Sequence, residues 1–199
     1  MTVFLTGKSG VGKSTCIIKF LKEYCKKEKK TIGGYLTHRC FYKDRIVGYG
    51  ICRAEPYIKE SESFYPPVIY FEKFPDEKEQ EEYKMFQVHG NHLVFSMERF
   101  RKYTDSYLEE DGDIILCDEL GGMDFIDDDF VGKILNLSKE KIMIGVYREI
   151  DDYESFFKRR DLSLKEQERI IKNRSKFEDH LKGKIINLKD IEGSRLFGN

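Results

Sequence analysis

The chain has 199 residues and a mass of 23.6 kDa, the size of one domain or of one domain carrying an insertion, which argues against a second full domain. Lys and Arg total 35 against 36 Asp and Glu, a formal net charge of -1, so no global positive field exists to hold nucleic acid or an anionic membrane. With 40% hydrophobic and 36% charged residues, the chain can bury a full core under a charged surface and is expected to fold alone. Its five cysteines, Cys16, Cys25, Cys40, Cys52 and Cys117, are scattered and form no Cys-x-x-Cys pair, which is the pattern of neither a disulfide framework nor a zinc site. Thr2 to Thr6 is a short apolar run with β-branched and aromatic side chains, read as a buried strand. It is too short for a signal peptide or a membrane span, so a cytoplasmic protein is expected.

Gly7, Lys8, Ser9, Gly10, Val11, Gly12, Lys13 and Ser14 follow that strand and fit Gly-x-x-x-x-Gly-Lys-[Ser/Thr], the phosphate-binding loop or Walker A pattern. Its glycines let successive backbone N–H groups turn inward around a phosphate, and the following helix adds its positive end. In this pattern Lys13 reaches the β- and γ-phosphates, Ser14 ligates magnesium, and Thr15 adds an α-phosphate contact. From Lys13 to about Lys27, Ile17, Phe20, Leu21 and Tyr24 recur at helical spacing, with Lys19, Lys22, Glu23 and Lys26 on the opposite face. Lys26, Lys27, Lys29 and Lys30 put positive charge at the negative end of this helix.

Tyr35 to Tyr42 and Arg45 to Arg53, joined at Lys43-Asp44, read as a hairpin. Residues 55 to about 92 hold all four prolines (Pro56, Pro66, Pro67 and Pro75) and an acidic tract from Asp76 to Glu82, and read as an irregular insertion or lid within a single domain spanning 1–199. The aromatics there, Tyr57, Phe64, Tyr65, Tyr70, Phe71 and Phe74, could stack on a base; packing onto the core is the preferred reading. Ser96 is placed to cap a helix whose apolar face is Met97, Phe100, Thr104, Tyr107 and Leu108.

Ile114 to Cys117 is a continuous apolar run, the mark of a strand buried on both faces. Asp118 and Glu119 stand at its carboxyl end, where open α/β sheets place their ligands. Asp118 is expected to hold magnesium through water, and Glu119 to orient or deprotonate an attacking water. Asp127, Asp128 and Asp129 cap a helix through Phe130 to Leu137. Ile142 to Val146 is a second buried strand with Arg148 just past it; Ser163 and Glu166 form a capping box opening a long helix; and Lys184 to Leu188 closes the sheet. His38, His89, His92 and His180 show no metal-ligand spacing, and His89-Gly90-Asn91-His92 reads as a solvated loop.

The chain resembles the small P-loop nucleoside triphosphatases often called cancer-related NTPases over most of its length. The resemblance rests on Gly7 to Thr15, Gly34-Tyr35-Leu36-Thr37-His38-Arg39, Gly48-Tyr49, Phe95-Ser96-Met97-Glu98 and Asp118-Glu119-Leu120-Gly121-Gly122-Met123-Asp124. Where this family typically has Asp-Glu-Ile-Gly-Lys-Met-Glu, Gly122 replaces the lysine and Asp124 the glutamate. The family's Asn-Arg pair matches either Asn173-Arg174 or a segment ending at Arg195. The resemblance implies a three-layer α/β P-loop NTPase fold, RecA-like, with a mostly parallel central sheet. It puts the Asp118 strand beside the loop strand, with Ile142 to Val146 in the same sheet, and lets Arg148 sit near the γ-phosphate; Arg159 and Arg160 are further candidates of that kind. The implied activity is Mg²⁺-dependent hydrolysis of a nucleoside triphosphate, ATP or GTP, with Glu119, Lys13 and Arg148 as the catalytic groups. Two alternatives remain. One is a nucleotide or nucleoside kinase, in which 55–92 or 151–160 closes over an acceptor clamped by Arg39, Arg53, Arg159 and Arg160. The other is a nucleotide-dependent switch without turnover.

Overall fold

The apolar side chains of strand β1 (Thr2–Thr6) alternate between two hydrophobic clusters, Phe4 in one and Leu5 in the other, as expected of a strand covered on both sides. The computed structural model describes residues 2–89, 92–93 and 95–190. After β1 come α1 (Lys13–Glu28), β2 (Ile32–Tyr42), β3 (Arg45–Arg53), α2 (Ala54–Glu60), β4 (Val68–Phe71), α3 (Glu77–Glu82), β5 (Phe86–His89) and β6 (His92–Leu93). The second half holds α4 (Met97–Leu108), β7 (Ile114–Leu120), α5 (Asp128–Glu140), β8 (Ile142–Tyr147), α6 (Tyr153–Lys158), α7 (Leu164–His180) and β9 (Ile185–Asn187).

Among the described residues the strands form one sheet in the order β6-β5-β3-β2-β7-β8-β1-β9, with β4 paired to β2. The pairs β2–β7, β7–β8, β8–β1 and β1–β9 are parallel; β2–β3, β3–β5 and β5–β6 are antiparallel. On one face, Phe100 of α4, Ile134 of α5 and Phe177 of α7 pack against Phe4, Tyr35, Ile115 and Met143. On the other, Ile17, Ile18 and Leu21 of α1 and Ile58 of α2 pack against Leu5, Leu36, Leu116 and Ile144. The result is the three-layer α/β arrangement with a mostly parallel sheet.

One expected neighbour relation is corrected: β7, the Asp118 strand, does not lie beside β1, because β8 runs between them. Ile142–Tyr147 is apolar enough to be buried on both faces, and its glycine makes the fit possible. A Cβ on Gly145 would stand 2.3 Å from the Cys117 carbonyl oxygen and 2.7 Å from the Phe4 ring.

Residues 55–92 are more ordered in secondary structure than their prolines imply. They hold most of α2, then β4, α3 and β5, and β4 extends the sheet along β2 beyond the end of β7, with Arg39 opposite Val68. Each element is only four to seven residues long, too short for a periodicity to show. The aromatics divide: Tyr57 and Phe71 pack against apolar clusters, whereas Phe64, Tyr65, Tyr70 and Phe74 are exposed. Lys22, assigned to the solvated face of α1, instead donates to the carbonyls of Tyr57 (3.1 Å), Ile58 (3.2 Å) and Ser61 at the end of α2, where the helix dipole is negative.

The hairpin turn and the helix caps are as read. Lys43 and Asp44 both have positive φ, 48° and 59°, the tight turn that matches the twist of a hairpin. Ser96, Asp127 and Ser163 accept the capping hydrogen bonds of α4, α5 and α7. All five cysteines are free, and among the described residues no helix is long and apolar enough to cross a membrane. Gly90, Asn91 and Arg195 lie outside the described residues, as do the side chains of His89 and His92.

Candidate active site

The turn from β1 into α1 ends on Gly12, whose φ of 95° lies in the left-handed region that a side chain disfavours. It leaves the first backbone N–H groups of α1 pointing outward, and an anion is the natural partner for such a helix start. Lys8, Ser9, Gly10 and Val11 form the exposed crest of the turn. Lys13 is buried beneath it, and its Nζ donates to the carbonyls of Gly7 (2.6 Å) and Lys8 (2.9 Å). Ser14 and Thr15 follow, half-buried in the first turn of α1.

Ser14 Oγ donates to Asp118 Oδ1 at 3.0 Å. The loop and the acid strand therefore meet although β8 separates their backbones, because the first turn of α1 reaches over the end of β8. Thr37 of β2 donates to the Asp118 carbonyl. Burial, then the charge of neighbouring Glu119, pushes the Asp118 carboxyl up to about 7 against the Ser14 hydrogen bond and the Lys13 and Arg39 charges. A divalent cation there would restore the charged form. The hydroxyl and carboxylate are hard oxygen donors of the kind magnesium takes when it binds through one or two side chains plus phosphate oxygens and water. The residues fit the ion in that mode. An all-protein cage is not formed: among the described residues no group of three or more His, Cys, Asp and Glu could hold a metal.

Glu119 is joined to Asp118 by a cis peptide bond, and its Oε2 accepts from Arg148 Nη2 at 2.8 Å. Arg148 is held at the exit of β8 by its own N–H, which donates to the Leu120 carbonyl at 2.8 Å. A Cβ on Gly122 would lie 3.4 Å from Arg148 Nε, so the arginine packs directly against this glycine. Ser14, Asp118, Glu119 and Arg148 open onto a cleft of about 970 Å³, which Arg39, Arg159 and Arg160 also line. Arg53 does not join them; it pairs with Glu110 at 3.0 Å and lies over the Tyr107 ring.

Behind Glu119 the chain is pinned by Asp124, Asn173 and Arg174, which the family motifs name without saying what they touch. Asp124 accepts from the N–H groups of Gly121 (3.0 Å) and Gly122 (2.6 Å). Burial lifts its carboxyl to about 6 despite those bonds. From α7, Asn173 Nδ2 donates to the Phe125 carbonyl at 2.9 Å and Arg174 Nη1 to the Gly121 carbonyl at 2.5 Å. Both side chains are buried, and the Arg174 guanidinium stacks 4.4 Å from the Tyr147 ring centroid. The available signal was the Asn-Arg pair itself, which lies at the core face of α7 rather than at the phosphate end of the site.

The family model described as NTPase matches residues 2–185. Among solved structures, the chain is similar to a human cancer-related nucleoside triphosphatase solved in solution, with a TM-score of 0.52 and 18% identity, covering 95% of this chain and 89% of that one. At that identity the likeness speaks for the fold. No curated protein sequence matches the chain.

Proposed function

The chain belongs to the NTPase family, a nucleoside triphosphate hydrolase family, and from that premise we propose that its hydrolysis of ATP or GTP depends on magnesium, with Glu119 activating the water. The 3.0 Å hydrogen bond from Ser14 to Asp118 carries the proposal, since it joins two polar groups 104 positions apart in the chain at the mouth of the phosphate-binding loop.

In this reading the N–H groups at the start of α1 bind the phosphates, and Lys13 turns its ammonium from its own loop's carbonyls onto the β- and γ-phosphate oxygens. Ser14 and Asp118 hold magnesium, which when bound neutralises charge on the β- and γ-phosphate oxygens. Glu119 orients a water in line with the γ-phosphate and takes its proton as the bond to the leaving nucleoside diphosphate breaks. Arg148, paired to Glu119, is the cation closest to that acid and offsets negative charge gathering on the transferred group. Asp124, Asn173 and Arg174 touch no substrate; they fix the backbone that follows Glu119. Five free thiols are the pattern of a reducing compartment, and we assign the protein to the cytosol.

The test is phosphate release from ATP and GTP, with and without magnesium, in wild type and Glu119→Gln. The variant should keep its nucleotide affinity and lose about 10²–10⁴ in turnover. Wild-type turnover in Glu119→Gln, or undiminished turnover in chelator, would refute the assignment.

A further inference from the structure

The cleft is larger than its phosphate-binding end. Asp118 turns to α1 through Ser14, whereas Glu119 turns to Arg148. Beyond Glu119 the cleft continues between β3 and α6, along the half-buried rings of Tyr49 and Phe95. Phe95 packs against the apolar cluster on the face of the sheet opposite α1. The far compartment thus lies across the sheet's end from α1, the helix that follows the phosphate-binding loop.

Three guanidiniums meet there: Arg148 from the exit of β8, and Arg159 and Arg160 from the end of α6. Arg148 is paired with Glu119. Among the described residues neither Arg159 nor Arg160 makes an ion pair. Arg159 Nε donates to the Ser155 carbonyl at 3.1 Å, and Arg160 Nη1 to the Phe156 carbonyl at 3.1 Å. Arg160 lies with its guanidinium 3.8 Å from the Phe156 ring centroid, and its buried Nε has no hydrogen-bond partner. Burial, then the charges of Arg148 and Arg159, draws Arg160 down to about 10. Glu149, Asp151 and Asp152 also line the cleft. Of these, Asp151 and Asp152 are exposed at the rim, and Asp152 is engaged with the Ser155 N–H as the cap of α6.

Like charges brought together in a partly desolvated place repel, and a bound anion removes that cost. Guanidiniums select phosphate through paired, planar hydrogen bonds, and partly exposed rings such as those of Tyr49 and Phe95 favour a flat apolar group. We propose that this compartment is a second ligand site, which binds a phosphomonoester bearing an aromatic group, of the class of a nucleoside monophosphate, while a triphosphate occupies the phosphate-binding loop. The proposal rests on the reading above for the position of the triphosphate and adds a second ligand to it.

The experiment is calorimetric titration of the whole chain with adenosine monophosphate and, separately, with orthophosphate. Each is run first on free protein and then on protein saturated with magnesium and a non-hydrolysable triphosphate analogue. The monophosphate should bind at one site per chain in both states, at least about tenfold tighter than orthophosphate because its ring stacks. Arg160→Ala should weaken it by about tenfold or more, and Arg159→Ala serves if that variant does not fold. Exclusion of the monophosphate by the analogue, equal affinity for orthophosphate, or indifference to both substitutions overturns the proposal. Failure of the hydrolase reading would show separately, as absence of analogue binding, with the titration on free protein still deciding the arginine site.

Discussion

His38 points from β2 toward β3, where only a glycine leaves room for it: a Cβ on Gly50 would stand 2.1 Å from its Nε2. That nitrogen has no hydrogen-bond partner, and burial, then the charge of Lys84, lowers the ring's pKa to about 4. The folded chain therefore keeps His38 neutral where the unfolded chain, at about 6.5, takes up a proton. Its contribution to stability is intact above pH 6.5 and lost as pH falls through 4, about 3 kcal/mol in all. Urea unfolding at pH 7 and pH 5 should show wild type losing about 2 kcal/mol more than His38→Gln, and equal losses would contradict this account. At this scale the sequence was legible in which residues would meet, as Ser14 and Asp118 do through a hydrogen bond. It named Arg160, Asp124 and Arg174 but not what they touch, because a polar residue within a helix or loop looks the same whether it meets solvent or a buried carbonyl.

Helix α7 acts on the site as an element. Asn173 and Arg174 lie one after the other on its buried face and hold the two ends of the segment Gly121 to Phe125. Arg174 is replaceable by neither alanine, which leaves the Gly121 carbonyl unpaired, nor lysine, which lacks the fork and the stacking plane. Loosening this segment lets Glu119 drift, and a displacement of about 1 Å at a reacting group costs about 10²-fold in rate. Arg174→Ala should thus lower kcat by about that factor with little change in KM, since the phosphate-binding loop is carried by other elements; an unchanged kcat would show that the clamp does not reach Glu119. The amphipathic helices α1, α4, α5 and α7 could be read from their periodicity. The short elements between Ala54 and His89 could not, and neither could the place of β8 between β1 and β7. Strand order depends on which buried runs fit side by side, as Gly145 does against Cys117 and Phe4, and no local window contains that information.

The whole molecule carries almost no net charge and has a pI near 6.5, so electrostatic repulsion between copies is weak around neutral pH. It also exposes Tyr65, Tyr70 and Phe74 at 70%, 72% and 51%, beside β4, which among the described residues pairs only with β2. Edge strands with exposed apolar side chains associate. Tyr70→Lys should reduce light scattering of concentrated protein near pH 6.5 and leave the unfolding midpoint unchanged; equal scattering would show that this edge is not the sticky one. The interposed strand has a different kind of consequence. Because α1 passes over the tip of β8 to reach Asp118, whatever follows that strand is delivered into the chemistry by backbone alone. Position 148 is anchored through its amide, and its side chain owes nothing to the core. On the proposed reading, one substitution at this position should therefore alter rate and leave the architecture undisturbed.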